Sequence, residues 1–341
     1  MQRKIWCAAL TQGETVPSTR FRWTQHENEL LSYGVASCHL TARYGSYAPE
    51  RFLERPLWLS AALIDAGKRV VAAQSADVCF LQRSLIAKFA SFEKYLKPPV
   101  VLDLDDAIFH TLSSQSYRKL TDRADIVICG NEYIANFFDD RSDIRILPTA
   151  VDTDRFIPRL RVESEKVVLG WSGTSWSYKW LYDVEIGIAK ALKECPELVL
   201  KIIADVPPRF THIPQDRLIF ETWSADSEVD QISSFDIGLM PLPDEAWTRG
   251  KCSFKMLLYM SVGIPSIASP VGMNEDVLGL ADLGLPAVSP LDYCDAIVFL
   301  TRNKSRRDEQ GRAGRLIAES HFSTKVITRK LGKILREASE L

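Results

Sequence analysis

Short apolar runs of strand character alternate with longer stretches of helical period in this chain, stop, and then begin again. In the first half KIWCAAL, DVCFLQR, VVLDLDD, DIVICG and IRILP read as strands, and ERPLWLSAALIDAGKRVV, SLIAKFASFEKYL and NEYIANFF as the helical segments among them. That alternation predicts a parallel sheet covered by helices on both faces, because parallel neighbours need a crossover connection. The stretch PTAVDTDRFIPRLRVESEK, 148–166, is polar, carries two prolines and keeps no period, so it reads as a linker. The pattern then restarts with the strands KVVLGWSG, ELVLKIIAD, RLIFETW, FDIGLMPL and SIAS. YKWLYDVEIGIAKALKEC, RRDEQGRAGRLIAESHF and STKVITRKLGKILREASEL read as its helices. At 341 residues the chain is longer than one core usually organises. Two open α/β units in tandem are expected, residues 1–155 and 156–322, with a last helix, 323–341, packing back on the first. Open α/β sheets bind ligands beyond the carboxyl ends of their strands.

Composition narrows the function classes. Apolar residues make up 46% and charged residues 25%, ordinary for a globular protein, and the formal net charge of -2 gives no general attraction to nucleic acid. No apolar run approaches the length of a bilayer span, and the opening MQRKIWCAALTQGE is too short in its apolar part for a signal peptide. Seven scattered cysteines without a CxxC pair suggest reduced thiols in the cytoplasm and no structural zinc. One stretch points to a membrane surface. In QRSLIAKFASFEKYLKPP, 82–99, Leu85, Phe89, Phe92 and Leu96 fall on one helical stripe flanked by Arg83, Lys88, Lys94 and Lys97. Such a helix could lie on the inner face of a membrane, or could simply face a core with its lysines in water.

The familiar phosphate loops are absent: GWSGTSWSYK is not GxGxxG, and TRGKC lacks the first glycine and the Ser/Thr of a P-loop. LGWSGTSWSYKWL does offer a strand, a turn at Ser172, Gly173 and Thr174, and a helix carrying Lys179. Amide groups at such a helix start can hold a phosphate, or the hydroxyls can merely cap it. More specific is FDIGLMPLPDEAWTRGKCSFKMLLYMSVGIPSIASPVG, in which strand, loop, helix, Gly-x-Pro turn, strand and Gly loop follow in order. With this stretch the chain resembles the GT4-type (group 1) glycosyltransferases, in which a helix of this kind ends in roughly E-A-M-A-x-G-x-P-V-V-A-S. LYMSVGIPSIAS, RADIVICGNEYIANFF, ILPTAVDTDRFIP and GWSGTSWSYKWL stand in the family's order along nearly the whole chain.

The resemblance implies the GT-B fold, two Rossmann-like parallel-sheet domains facing across a cleft, the first on the acceptor side and the second binding the donor. It also brings departures. The two glutamates of the family's E-x7-E fall at Gly250 and Leu258, which cannot do their chemistry, and the Arg of its phosphate turn is missing. Asp244 and Glu245 in the preceding loop are candidates for the sugar hydroxyls, and Arg249, Lys251 and Lys255 for the missing charge. Lys251 and Lys255 are four apart and share a face if both are helical. A nucleotide diphosphate calls for such paired cations. On the acceptor side the cluster VVLDLDDAIFH offers Asp103, Asp105 and Asp106, with Asp105 or Asp106 expected to contact the transferred sugar or the acceptor hydroxyl. The alternatives are caps for the next helix, or a DxD metal site of the other glycosyltransferase fold. Gly13 opens the first loop, and of Arg20 and Arg22, two apart, only one is expected to point inward, with Arg20 favoured. Among His26, His39, His110, His212 and His321, only His110 has neighbours of interest.

The implied activity is transfer of a sugar from a nucleotide-diphosphate sugar to an acceptor hydroxyl, with retention of configuration and no essential metal or other cofactor. The acceptor would be a glycan or a lipid-linked one, in polysaccharide or glycoconjugate synthesis. Closure over the donor would exclude water. The rivals are a non-catalytic module that binds sugar nucleotides or glycans, favoured by the absent glutamates, and a sugar-nucleotide epimerase of the same fold.

Overall fold

The computed structural model describes residues 3–14, 16–87, 91–110, 114–138, 140–159 and 164–341. The chain divides into two compact units: the first comprises Met1–Ala150, Gly250–Cys252 and Thr324–Leu341, the second Val151–Arg249 and Ser253–Ser323.

Unit 1 is built on six parallel strands, β1 (Ile5–Thr11), β2 (Val35–Thr41), β3 (Val78–Gln82), β4 (Val100–Leu104), β5 (Ile126–Cys129) and β6 (Ile144–Ile146), in the order β2-β1-β3-β4-β5-β6. Strand residues alternate between two cores, as the two-residue period of a strand requires. Ala8, Leu10, Cys79, Leu81, Leu102, Leu104, Val127 and Cys129 face one core, to which the helix Arg55–Ala73 contributes Ala62, Ala66, Val70 and Ala73. Cys7, Ala9, Val78, Phe80, Val101, Ile126 and Ile128 face the opposite way, onto Trp23, Leu30 and the terminal helix Thr324–Ala338. That helix buries Ile327, Leu331, Ile334, Leu335 and Ala338, a spacing of threes and fours that gives one apolar stripe.

Unit 2 has six parallel strands in the order β12-β11-β10-β7-β8-β9: β7 (Val167–Ser172), β8 (Leu198–Ala204), β9 (Leu218–Thr222), β10 (Ile237–Met240), β11 (Ser266–Ala268) and β12 (Gly284–Pro286). Leu169, Trp171, Leu200, Ile202, Ile237, Leu239 and Ile267 pack on Ile188 and Leu192 of the helix Glu185–Glu194 and on Tyr293, Ile297 and Leu300 of the helix Pro290–Arg302. The helix Phe254–Ser261 ends at Gly263, where φ is 71° and the Ile264 amide donates to Tyr259 O at 2.9 Å. A glycine tolerates that left-handed turn without penalty, which explains the Gly-x-Pro stop.

The structure departs from the sequence reading in several places. The edge strand β2, the short β12 and the helix Pro290–Arg302 are not among the elements expected above; the helix does carry a period of threes and fours at Tyr293, Ile297 and Leu300 behind a Ser289–Asp292 capping box. Residues 151–159 are not a free linker, since Phe156 is buried and the carbonyls of Thr153 and Phe156 accept from Arg315 within unit 2. The helix expected over 82–99 is absent among the described residues: Gln82 ends β3, Leu85 and Leu96 enter the core, and only a single turn, Glu93–Tyr95, is helical. The buried Glu93 carboxylate accepts the amides of Leu85 and Ser91, so the segment is tied in a loop instead. Phe89 of that stripe and Lys88 of its flank lie outside the described residues. Among the described residues no helix is long and apolar enough to cross a membrane.

Candidate functional site

Each sheet has one place where chain order reverses, and there the connections leave in opposite directions and open a crevice at the carboxyl ends of the strands. In unit 1 that place lies between β1 and β3, and in unit 2 between β7 and β10. The candidate residues gather at these two edges.

At the edge of unit 1, Gly13 (φ 152°) follows β1 and its carbonyl accepts from the Val16 amide at 3.2 Å. The next helix, Pro17–Arg22, turns Arg22 inward, not Arg20. Arg20 is half-buried with its guanidinium 4.2 Å from the Phe21 ring centre. Arg22 is sealed in the core, where Nε donates to Asp103 Oδ2 at 3.0 Å, Nη2 to Oδ1, and Nη1 to Leu147 O at 2.9 Å. Burial works against the Arg22 charge, but the paired Asp103 carboxylate outweighs it and raises the guanidinium above its ordinary value. Asp103 is therefore half of a buried ion pair with its oxygens spoken for.

Asp105 and Asp106 are clasped by a residue that the sequence reading assigned to a helix flank. Arg83, the first residue after β3, sits in the left-handed region at φ 56° and is only 7% exposed. Its Nε donates to Asp105 Oδ1 at 2.7 Å, its Nη2 to Asp106 Oδ2 at 2.8 Å, and its Nη1 to the Tyr47 hydroxyl at 2.9 Å. A non-glycine residue held there stores of order 1–3 kcal/mol, a strain that structures tend to keep at functional places. Lys251 completes the group, with Nζ 2.9 Å from Asp106 Oδ1, while the Cys252 thiol donates to Asp105 O at 3.0 Å. Burial pushes the Asp105 carboxyl up, but Arg83 and then Arg22 outweigh it and hold it below its ordinary range. The position of Arg83 at the carboxyl end of the strand run DVCFLQR was the sequence signal that could have placed it here. His110 stands apart from the carboxylates: its Nε2 shares a hydrogen bond of 3.0 Å with the Tyr133 hydroxyl.

Lys251 is thus corrected on one point. The helix begins at Phe254, after a left-handed Ser253 (φ 51°), so Lys251 lies outside it and shares no helix face with Lys255. The break begins at Gly250, where a Cβ would stand 2.3 Å from Ala107 Cβ and 2.8 Å from Ala107 N. The position at which the family carries a glutamate has no room here for any side chain.

In unit 2, Ser172 ends β7 and Gly173 donates its amide to Ile203 O at 3.0 Å. Lys255, at the first turn of the helix Phe254–Ser261, lies against this turn: a Cβ on Gly173 would be 2.9 Å from Lys255 Cε, and Nζ is 5.4 Å from the Trp171 ring centre. Thr174 is exposed and precedes one tight turn, Ser175–Ser177, whose Ser175 amide and hydroxyl both donate to Asp205 at 2.7 Å. A carboxylate, also missed in the sequence, thus takes the Ser175 donors that follow the turn at Ser172, Gly173 and Thr174. Lys179 is exposed and rests 4.3 Å from the Trp176 ring centre. Arg249 makes a two-point pair with Asp244, Nε to Oδ1 at 2.6 Å and Nη2 to Oδ2 at 3.0 Å, and Glu245 beside them is exposed. The Arg249 hydrogen bond holds the Asp244 carboxyl below its usual value.

No family model matches the chain, and no curated protein does either. Solved structures match over almost its whole length. HepE of Anabaena, in complex with UDP and glucose, is 13% identical with a TM-score of 0.67, covering 98% of this chain and 100% of that one. Sucrose-phosphate synthase from Thermosynechococcus elongatus is 13% identical with a TM-score of 0.72, covering 98% and 99%. A protein of Listeria monocytogenes assigned as a UDP-N-acetylglucosamine 2-epimerase is 10% identical with a TM-score of 0.65, covering 99% and 97%. The chain has the GT-B fold, two Rossmann-like parallel-sheet domains.

Proposed function

We propose that this chain transfers a sugar from a nucleotide-diphosphate sugar to an acceptor hydroxyl, with retention of configuration, in the making of a polysaccharide or glycoconjugate. The observation that carries the reading is the meeting of the Gly173 turn with Lys255 at the reversal point of the unit 2 sheet. A similar fold holding UDP and glucose in HepE supports it. In this reading unit 2 binds the donor through Lys255 and Arg249, with Asp244 and Glu245 toward the sugar, and unit 1 is the acceptor side. The acceptor oxygen bonds to the anomeric carbon as the bond from that carbon to the diphosphate oxygen breaks. The electron pair leaves on the nucleotide diphosphate, which takes up the hydroxyl proton. Protein cations stabilise the negative charge that develops there.

The test is a thermal-shift screen against UDP, GDP, dTDP and ADP, since a ligand at 100 times its Kd raises folded-state stability by about 2.7 kcal/mol. One nucleotide should shift the parent, and Lys255→Ala should weaken that shift; no shift with any of them would favour a non-catalytic glycan-binding module. Leaving-group stabilisation by protein charges also predicts transfer in excess EDTA within a few-fold of that with Mg or Mn. Complete loss in EDTA, restored by Mn, would sink the metal-independent reading. The Listeria neighbour supports a second reading, a sugar-nucleotide epimerase. Incubation of UDP-N-acetylglucosamine without acceptor separates the two, because only an epimerase changes the sugar under those conditions.

A further inference from the structure

Asp105 and Asp106 are consecutive, and the structure treats them differently. Asp106 has both oxygens engaged, Oδ1 by Lys251 Nζ at 2.9 Å and Oδ2 by Arg83 Nη2 at 2.8 Å. Asp105 has one: Oδ1 accepts from Arg83, while among the described residues Oδ2 accepts from no other residue. The Arg83 fork is nearly sealed, is fixed at a third point by Tyr47, and reaches the pair from a left-handed backbone. A guanidinium is planar, keeps its proton and offers donors at fixed angles, so it orients two carboxylates where an ammonium would only attract them.

We infer that Arg83 is a positioning residue: it clamps Asp106 as a counter-ion and presents the remaining oxygen of Asp105 to the acceptor hydroxyl. This rests on the transferase reading above and divides between two residues a role that the sequence left undivided. The charged and titratable groups facing the pair are Arg83 after β3, Lys251 and Cys252 from the segment Gly250–Cys252, Tyr47, and behind them the Arg22–Asp103 pair. Three cations, Arg22, Arg83 and Lys251, stand against three carboxylates, Asp103, Asp105 and Asp106. With that balance Asp105 remains an ionised acceptor-only group at neutral pH.

The full chain carrying Arg83→Gln, Arg83→Lys, Asp105→Asn or Asp106→Asn is compared by three readouts. These are the Asp105 carboxyl titration by 13C NMR, the thermal shift with whichever nucleotide shifts the parent, and transfer rate against pH. Arg83→Gln should raise the Asp105 titration by about one pH unit, and Arg83→Lys by less. Arg83→Gln and Asp105→Asn should lose about 100-fold in kcat, with Asp106→Asn and Arg83→Lys losing about tenfold and the nucleotide shift unchanged in all. The acid limb of transfer in Arg83→Gln should move up in step with its NMR titration. Should Arg83→Gln not fold, the Arg83→Lys series makes the same comparison. An unmoved Asp105 titration overturns the clamp, and an Asp106→Asn variant as impaired as Asp105→Asn overturns the division of roles. A parent that transfers no sugar from any donor sinks the transferase reading and the acceptor role with it, whereas an unmoved titration with transfer intact sinks the clamp alone.

Discussion

Arg22 and Asp103 form a pair with less than a tenth of either side chain exposed, and Arg22 also serves the Leu147 carbonyl. Removing one partner leaves the other charge buried without compensation. Arg22→Ala or Asp103→Asn should therefore cost about 3–5 kcal/mol in urea unfolding, far more than a surface pair would. Gly250 makes the opposite kind of demand. Its hydrogen faces Ala107 at a distance where a methyl group would collide with backbone as well as side chain. Gly250→Ala is expected to destabilise by about 1–3 kcal/mol, and Gly250→Glu by more. Placing there the glutamate that the resemblance to GT4-type glycosyltransferases implies should thus damage the fold rather than improve transfer, and denaturation measured beside activity would show which happens.

The terminal helix Thr324–Ala338 packs over a buried histidine. His26 is buried against it, with Nδ1 and the Thr328 hydroxyl 2.6 Å apart. Burial, and then the nearby Arg22 charge, lower its pKa from 6.5 to about 3. Between those values the unfolded chain binds a proton that the folded chain refuses, so this contribution is complete above about pH 6.5 and is lost as pH falls toward 3. The slope from this one group approaches about 1.4 kcal/mol per pH unit. Urea unfolding of the parent between pH 7 and 4 should show it, and His26→Gln should flatten the curve. A parallel pair of curves would mean that His26 takes up its proton at the same pH in the folded and the unfolded chain. By contrast, the segment 82–99 shows an element that its pattern misnamed. The spacing of Leu85, Phe92 and Leu96 suits a helix, yet Glu93 satisfies local amides with its carboxylate and no helix forms among the described residues.

At the scale of the molecule, each unit has its own sheet and its own buried cores. The residues proposed to face the donor, Ser172, Gly173, Arg249 and Lys255, belong to unit 2, while Arg83, Asp105, Asp106 and Lys251 belong to unit 1. A nucleotide that binds as proposed should raise hydrogen-exchange protection at the amides of β7, β10 and the helix Phe254–Ser261. Amides of β2 and β6, edge strands of the other unit, should change little. Protection confined to unit 1 would put the nucleotide on the wrong side of the proposal.

Local period and punctuation were enough for the outline: two α/β halves, the strands that carry the sites, the Gly-x-Pro stop and the candidate carboxylates could all be read along the chain. Those features are set by neighbours within a few residues, where side-chain alternation and turn chemistry act directly. Weakly patterned pieces were not legible, and β2 and β12 are strands because a sheet edge beside them supplies their hydrogen bonds. Nor could the sequence pair its charges. Arg22 finds Asp103 81 residues away, Arg83 finds Asp105 22 residues away, and Lys251 reaches Asp106 across 145. A chain with 42 basic and 44 acidic side chains allows a great many such pairings. Only the folded backbone, by bringing particular strand ends to one edge and excluding water from them, selects which are made.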